Sequence, residues 1–224
     1  MSLDASAGAA SPLSPGYGWR ALLRHVPQSV VLMRRVTREM QAVGIDERWR
    51  FTAIAAVALV MAAESTALEA YAPDAFFDAW RAGYGASAVL AGVFIGYAML
   101  GIVAVYAIAL VLHVTFRVAR RGTAFADMRT AMASSGYPQI MLSLFNLAVM
   151  GAAVLAGEEW RGAALSVIEA SLLVATALAI GYGVVAVSAA TGVPTPQVLG
   201  LHVVAGLGTV AAVAAGAWAL GLVI

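Results

Sequence analysis

The chain has 224 residues, of which 62% are hydrophobic and 11% charged. Soluble domains run at roughly 45–50% apolar and about 25% charged, so this composition points to a membrane protein. The formal charge of +1 is assembled from basic and acidic clusters in different segments, which carries topology rather than affinity for nucleic acid, and the absence of cysteine excludes disulfides, thiolate metal sites and thiol nucleophiles.

All 13 basic residues are arginine, and alanine, valine and glycine abound, as in proteins from GC-rich bacterial genomes. Residues 1–18 are small, polar and proline-containing and read as a disordered tail, with no basic-then-apolar leader to be cleaved. Over 19–49 the pattern is helical. Trp19, Leu22, Leu23 and Val26 form one apolar stripe before Pro27; Met33, Val36, Met40 and Val43 form a second, with Arg34, Arg35 and Arg38 elsewhere on the wheel. Such a helix either lies in the membrane plane, apolar side down, or packs on the bundle as a cytoplasmic helix.

The first span is expected over about 50–71, since about 20 residues at 1.5 Å each match a hydrocarbon core of roughly 30 Å. Seven arginines precede it and place the N-terminus inside. The next connection carries Glu64, Glu69, Asp74 and Asp78 against Arg81 and belongs outside, where Phe76, Phe77, Trp80 and Tyr84 suit a short interfacial helix. A second span over 87–112 carries Ala88, Gly92 and Gly96 at four-residue intervals. That stripe suits either a specific helix-pairing face or packing within the bundle, and the abundance of Gly and Ala elsewhere favours the latter.

The basic connection from His113 to Pro138, with Arg117, Arg120, Arg121 and Arg129, is internal, and Pro138 opens a third span over 139–156. Glu158, Glu159, Trp160 and Arg161 make an acidic external turn before a fourth span over 164–189. Thr191-Gly-Val-Pro-Thr-Pro196 breaks that helix, and a fifth span follows over 198–223. The expected fold is all-α: a polytopic bundle of five transmembrane helices preceded by an amphipathic cytoplasmic or interfacial helix. The N-terminus would be cytoplasmic and the C-terminus external in a bacterial inner membrane.

Glu169, about eight residues or roughly 12 Å inside the fourth span, is the foremost candidate for intramembrane chemistry. Glu64 could share the outer leaflet with it, with Arg81 or Arg161 as partners. The two carboxylates would then form a proton or cation site, or else lie near the headgroups, solvated or paired. Asn146 and Thr176 could bridge helices by hydrogen bonds worth roughly 1 kcal/mol or less. His113 and His202 could meet as a pH-sensitive pair or remain separate interfacial residues. Arg34, Arg35, Arg38, Arg117, Arg120, Arg121 and Arg129 form one cytoplasmic surface, for anionic lipid, for an acidic partner, or for orientation alone. No nucleophile elbow, phosphate loop or metal-ligand spacing is present in the sequence, so no enzyme activity, metal or cofactor is expected.

The run Arg120, Arg121, Gly122, Thr123, Ala124, Phe125, ending in Tyr137 and Pro138, together with the five-span layout over about 50–220, resembles the bacterial members of the Yip (Ypt-interacting protein) domain family. The resemblance implies a non-enzymatic membrane protein that works through protein or lipid contacts. The acidic Asp-Leu-Tyr-Gly-Pro element of the eukaryotic members is missing, so binding of Rab-type GTPases is not implied, and no site residue carries over. The expected function is that of an interaction or membrane-organising module, such as an accessory subunit, whose partners are the bilayer and a protein or a second copy. The alternative is a small transporter using Glu169.

Overall fold

The structure, a computed structural model, describes residues 18–219, with side chains as far as residue 211. The tail expected over 1–18 lies outside these residues except for Gly18, and the fifth span over 198–223 lies only partly inside them. All regular structure in the described residues is helical.

Helix α1 (Trp19–Ala42) buries Leu22, Val26, Met33, Val36 and Met40 against the rest of the bundle, while Trp19, Leu23 and Val43 are exposed. Protein therefore covers five of the eight residues of its two apolar stripes. The helix continues through Pro27 and departs from helical torsions at Leu32 (φ −118°, ψ 32°). Beside that break the carbonyl of Val30 accepts a hydrogen bond from Tyr182 Oη at 2.8 Å.

Helix α2 (Glu47–Tyr71) is capped by Asp46, whose carboxylate accepts from the Trp49 amide at 2.9 Å. A 3₁₀ turn at Ala75–Phe77 leads into α3 (Asp78–Tyr84); of the expected aromatic residues the turn carries Phe76 and Phe77 and the helix Trp80 and Tyr84. Helix α4 (Ala86–Val118) runs beyond the expected 112. It closes with the Arg121 amide donating to Phe116 O at 2.8 Å and the Arg120 amide to Arg117 O at 2.9 Å. This end places Arg120 at φ +56°, a position where glycine is usual.

The basic connection is mostly helix, and its second half is core. Helix α5 (Phe125–Ser135) buries Met128, Ala131 and Met132, an i, i+3, i+4 set, among α1, α4 and α7. After the Gly136 corner, α6 (Tyr137–Ala156) starts with Pro138 in its first turn. Helix α7 (Arg161–Thr191) follows a 3₁₀ turn at Glu158–Trp160 and ends at Gly192, whose φ of +70° permits the left-handed cap before α8 (Thr195–Ala219).

Among the described residues four stretches are long and apolar enough to cross a membrane: α2, α4, α6 with α5 leading into it, and α7 with its preceding turn. Long-range bonds define two ends. Arg34 donates to Thr195 Oγ1 at 3.0 Å, Gln41 to Ala190 O at 2.8 Å, Arg121 to Gln197 at 2.9 Å and Tyr106 to Glu47 at 3.1 Å. These gather α1, the starts of α2 and α8 and the ends of α4 and α7 at a basic end. Arg161, bonded to Tyr71 O, joins the start of α7 to the end of α2 at an acidic end.

Ala88, Gly92 and Gly96 do not pack inside the bundle, as the sequence had favoured. All three are exposed, and a Cβ at either glycine would meet open space. With the α3 rings they border a groove of about 540 Å³. The close approach of α2 and α4 falls instead at Gly101, where a Cβ would lie 3.1 Å from that of Ala58.

Candidate functional site

Three helices each bring a polar residue into their buried stripe at one place. In α2 the stripe Ile54, Val57 continues seven residues on at Glu64. In α6 the buried positions are Tyr137, Ile140, Ser143, Asn146, Met150 and Ala153, so Ser143 and Asn146 share the face that meets α2 and α7. In α7 the stripe is Ala164, Ile168, Ser171 and Ala175.

The side chains meet as one network. Ser143 Oγ donates to Glu64 Oε2. Asn146 Nδ2 donates to Glu64 Oε1 at 2.5 Å, and Asn146 Oδ1 accepts from Ser171 Oγ at 2.6 Å. Ser143 and Asn146 are fully buried, Glu64 is 5% exposed and Ser171 9%. Ser143 and Asn146 both donate to the carboxyl of Glu64, while the single Ser171 hydrogen is within reach of Asn146 Oδ1 and, at 2.8 Å, of Ile168 O, so each buried polar group of the cluster has a partner.

Neither arginine anticipated as a partner reaches Glu64. Arg81 pairs with Glu69 and Asp78 and donates to Asp74 O at 2.6 Å, fixing α3 and its preceding turn to α2. Arg161 pairs with Glu158 at 3.3 Å and lies over the Tyr71 ring, 5.4 Å from its centroid. Glu169 is exposed on the outside of α7 and does not join Glu64. Thr176 is exposed and bonds back to Leu172 O at 3.0 Å within its own helix. His113 stacks against Phe125 at 5.6 Å, while His202 Nδ1 lies 2.9 Å from Val198 O.

The basic end is divided rather than continuous. Arg34, Arg35 and Arg38 are exposed along α1 and border an open groove of about 670 Å³ together with Val31, Leu32, Tyr182 and Val185. Val31 is 82% exposed, so this groove has an apolar wall beside its guanidinium groups. One of the three, Arg35, is paired with Glu39 at 2.6 Å. Arg117, Arg120 and Arg121 are exposed around the end of α4. Arg129 is withdrawn from the surface: it pairs with Glu47 at 2.7 Å and lies over the Phe125 ring at 4.6 Å.

Among the described residues no group of three or more His, Cys, Asp or Glu side chains could hold a metal ion. No family model, curated protein or solved structure matches the chain.

Proposed function

We propose that the chain is a non-enzymatic integral membrane protein with five spans, α8 being the fifth, that works as an interaction or membrane-organising module through its basic end. The positive-inside rule puts that end in the cytoplasm, with the C-terminus outside. The Yip-like pattern around Arg120 to Phe125 is consistent with such a module.

The observation that carries the proposal is the α1/α7 groove. About 20 residues cross the hydrocarbon; counted from the starts of α4 and α7 at the acidic end, that distance ends near Tyr106 and Tyr182. Tyrosines collect at such a boundary. The groove at Tyr182 therefore lies at headgroup depth, with Val31, Leu32 and Val185 for acyl chains and Arg34 and Arg38 for phosphate. Arg117, Arg120 and Arg121 lie a further 11 to 15 positions along the chain from Tyr106, beyond that plane. They suit an acidic surface on a protein partner.

The test is thermal stability of the purified protein with added phosphatidylglycerol or phosphatidylcholine. Wild type should be stabilised more by the anionic lipid, and the Arg34→Gln/Arg38→Gln variant should lose the difference while keeping its stability in phosphatidylcholine. Equal stabilisation by both lipids in wild type would refute the lipid role of the groove.

A further inference from the structure

Glu64 takes no part in the basic-end function proposed above, yet it is a buried ionisable group in a helix long and apolar enough to span a bilayer, an expensive placement that by default marks a functional site. It lies seven residues before Tyr71, about 10 Å along the helix from the acidic end.

No cation shares the pocket. Among the described residues Glu64 has no ion pair, and the neighbouring helices bring none to it. Helix α6 contains no charged residue and its Tyr137 is at the basic end. The titratable groups of α4 are Tyr97, which is exposed, and Tyr106, His113 and Arg117 toward the basic end, where Asp127 and Arg129 of α5 also lie. Helix α7 offers the exposed Glu169, Arg161, engaged with Glu158 and Tyr71, and Tyr182, engaged with Val30. On α2 itself the next groups toward the acidic end are Glu69, held by Arg81, and Tyr71.

We propose that Glu64, Ser143, Asn146 and Ser171 form a proton-binding site that exchanges protons with the acidic, outer end of the bundle. The hydrogen-bond inventory accommodates two states that differ by one small side-chain adjustment. In the ionised state Ser143 and Asn146 both donate to the carboxylate, and Ser171 donates to Asn146.

On protonation at Oε2 the new O–H bond donates to Ser143 Oγ. A small rotation of the Ser143 side chain about its Cα–Cβ bond then brings its hydrogen to the carbonyl of Gln139, one helical turn back, a bond not made in the ionised state. Thr66, Thr115 and Thr176 make that same bond to Ala62, Val111 and Leu172 at 2.7, 2.8 and 3.0 Å. Asn146 keeps its bond to Oε1 throughout. One proton from the outer aqueous phase is taken up, one hydroxyl rotates, and release reverses both.

A metal cation is a poorer occupant, because the Asn146 amide and the Ser143 hydroxyl point hydrogens at the carboxylate and would have to turn away. A purely structural role as a hydrogen-bonded tie between helices makes a different prediction, since it requires no change in protonation.

The experiment is infrared difference spectroscopy of the full chain in lipid, between high and low pH. Wild type should gain a protonated-carboxyl C=O band and lose carboxylate intensity at low pH. Glu64→Gln, whose amide oxygen can accept from Asn146 and whose amide nitrogen can donate to Ser143 Oγ as the protonated carboxyl would, cannot titrate and should lose that band, and Ser143→Ala, which removes the acceptor for the new proton, should displace it. An unchanged band in Glu64→Gln would assign the titration elsewhere and overturn the proposal; so would a wild type that shows no carboxyl band at any pH at which it stays folded. If Glu64→Gln does not fold, Ser143→Ala decides alone: an undisplaced band overturns the proposal.

Discussion

Replacing Gly136 with alanine tests how the basic end is seated on the bundle. Gly136 has helical torsions (φ −78°, ψ −16°), so alanine fits its backbone, and by itself the substitution should stabilise by about 0.4–1 kcal/mol through the unfolded chain. The new Cβ, however, would stand 3.0 Å from both Cγ1 and Cγ2 of Val57. Val57 is 6% exposed, and its branched side chain is stiff within a helix, so it cannot swing clear. Overpacking of this kind costs about 1–3 kcal/mol, leaving a net destabilisation of up to about 2.5 kcal/mol.

Val57→Ala removes both offending methyl groups. In that background Gly136→Ala should become neutral or stabilising, giving a coupling of roughly 1–3 kcal/mol in a double-mutant cycle. Equilibrium unfolding in mixed micelles reads all four proteins. If Gly136→Ala is stabilising in the wild-type chain, with coupling below about 0.5 kcal/mol, the α5–α6 corner does not rest on α2 as described.

Gly101→Leu should lower stability by about 2–3 kcal/mol through its clash with Ala58, whereas Gly92→Leu should stay within about 0.5 kcal/mol of wild type because open space lies over it; thermal unfolding of both compares them directly. Arg120→Gly should raise stability by about 1 kcal/mol by relieving a left-handed arginine, again read as a shift in unfolding temperature. Burial holds the His25 imidazole below its ordinary 6.5, against the opposing pull of its hydrogen bond to Glu39 and with a smaller contribution from Arg24 in the same direction as burial. The unfolded chain then binds the proton first, so this site costs nothing above 6.5 and lowers stability as pH falls from there toward the folded value. The Glu39 carboxyl, held low chiefly by Arg35, remains ionised across that window. Plotting unfolding temperature against pH for wild type and His25→Gln checks the assignment, since the variant should lose that component of the slope.

Helices α2, α4, α6 and α7 were legible because apolar runs of sufficient length leave little else for the chain to do. The cluster was legible only in part. Asn146 stood out as a polar residue inside a span, and Glu64 as an acid near the end of one, but their meeting depends on helix rotation. The signal was present: Glu64 stands seven residues after Val57, and Ser143 and Asn146 fall on the Ile140–Met150 stripe. Depth alone favoured Glu169, yet its neighbours Ile168 and Ser171 face inward and leave it on the opposite side of α7. The glycine stripe misled for a related reason. Four-residue spacing shows that small residues share a face, and only the neighbour's position decides whether that face is covered.

The Arg81 contacts to Glu69 and Asp74 bear on how the molecule floats. They tie the ring-bearing α3 to α2, five residues beyond Glu64, so the waterline drawn by Trp80 and Tyr84 and the depth of the buried carboxyl belong to one rigid piece. A thinner or thicker bilayer cannot raise or sink Glu64 relative to the surface at the acidic end. The slack must be taken up at the opposite face, where α1 and α5 would ride closer to the headgroups or farther from them.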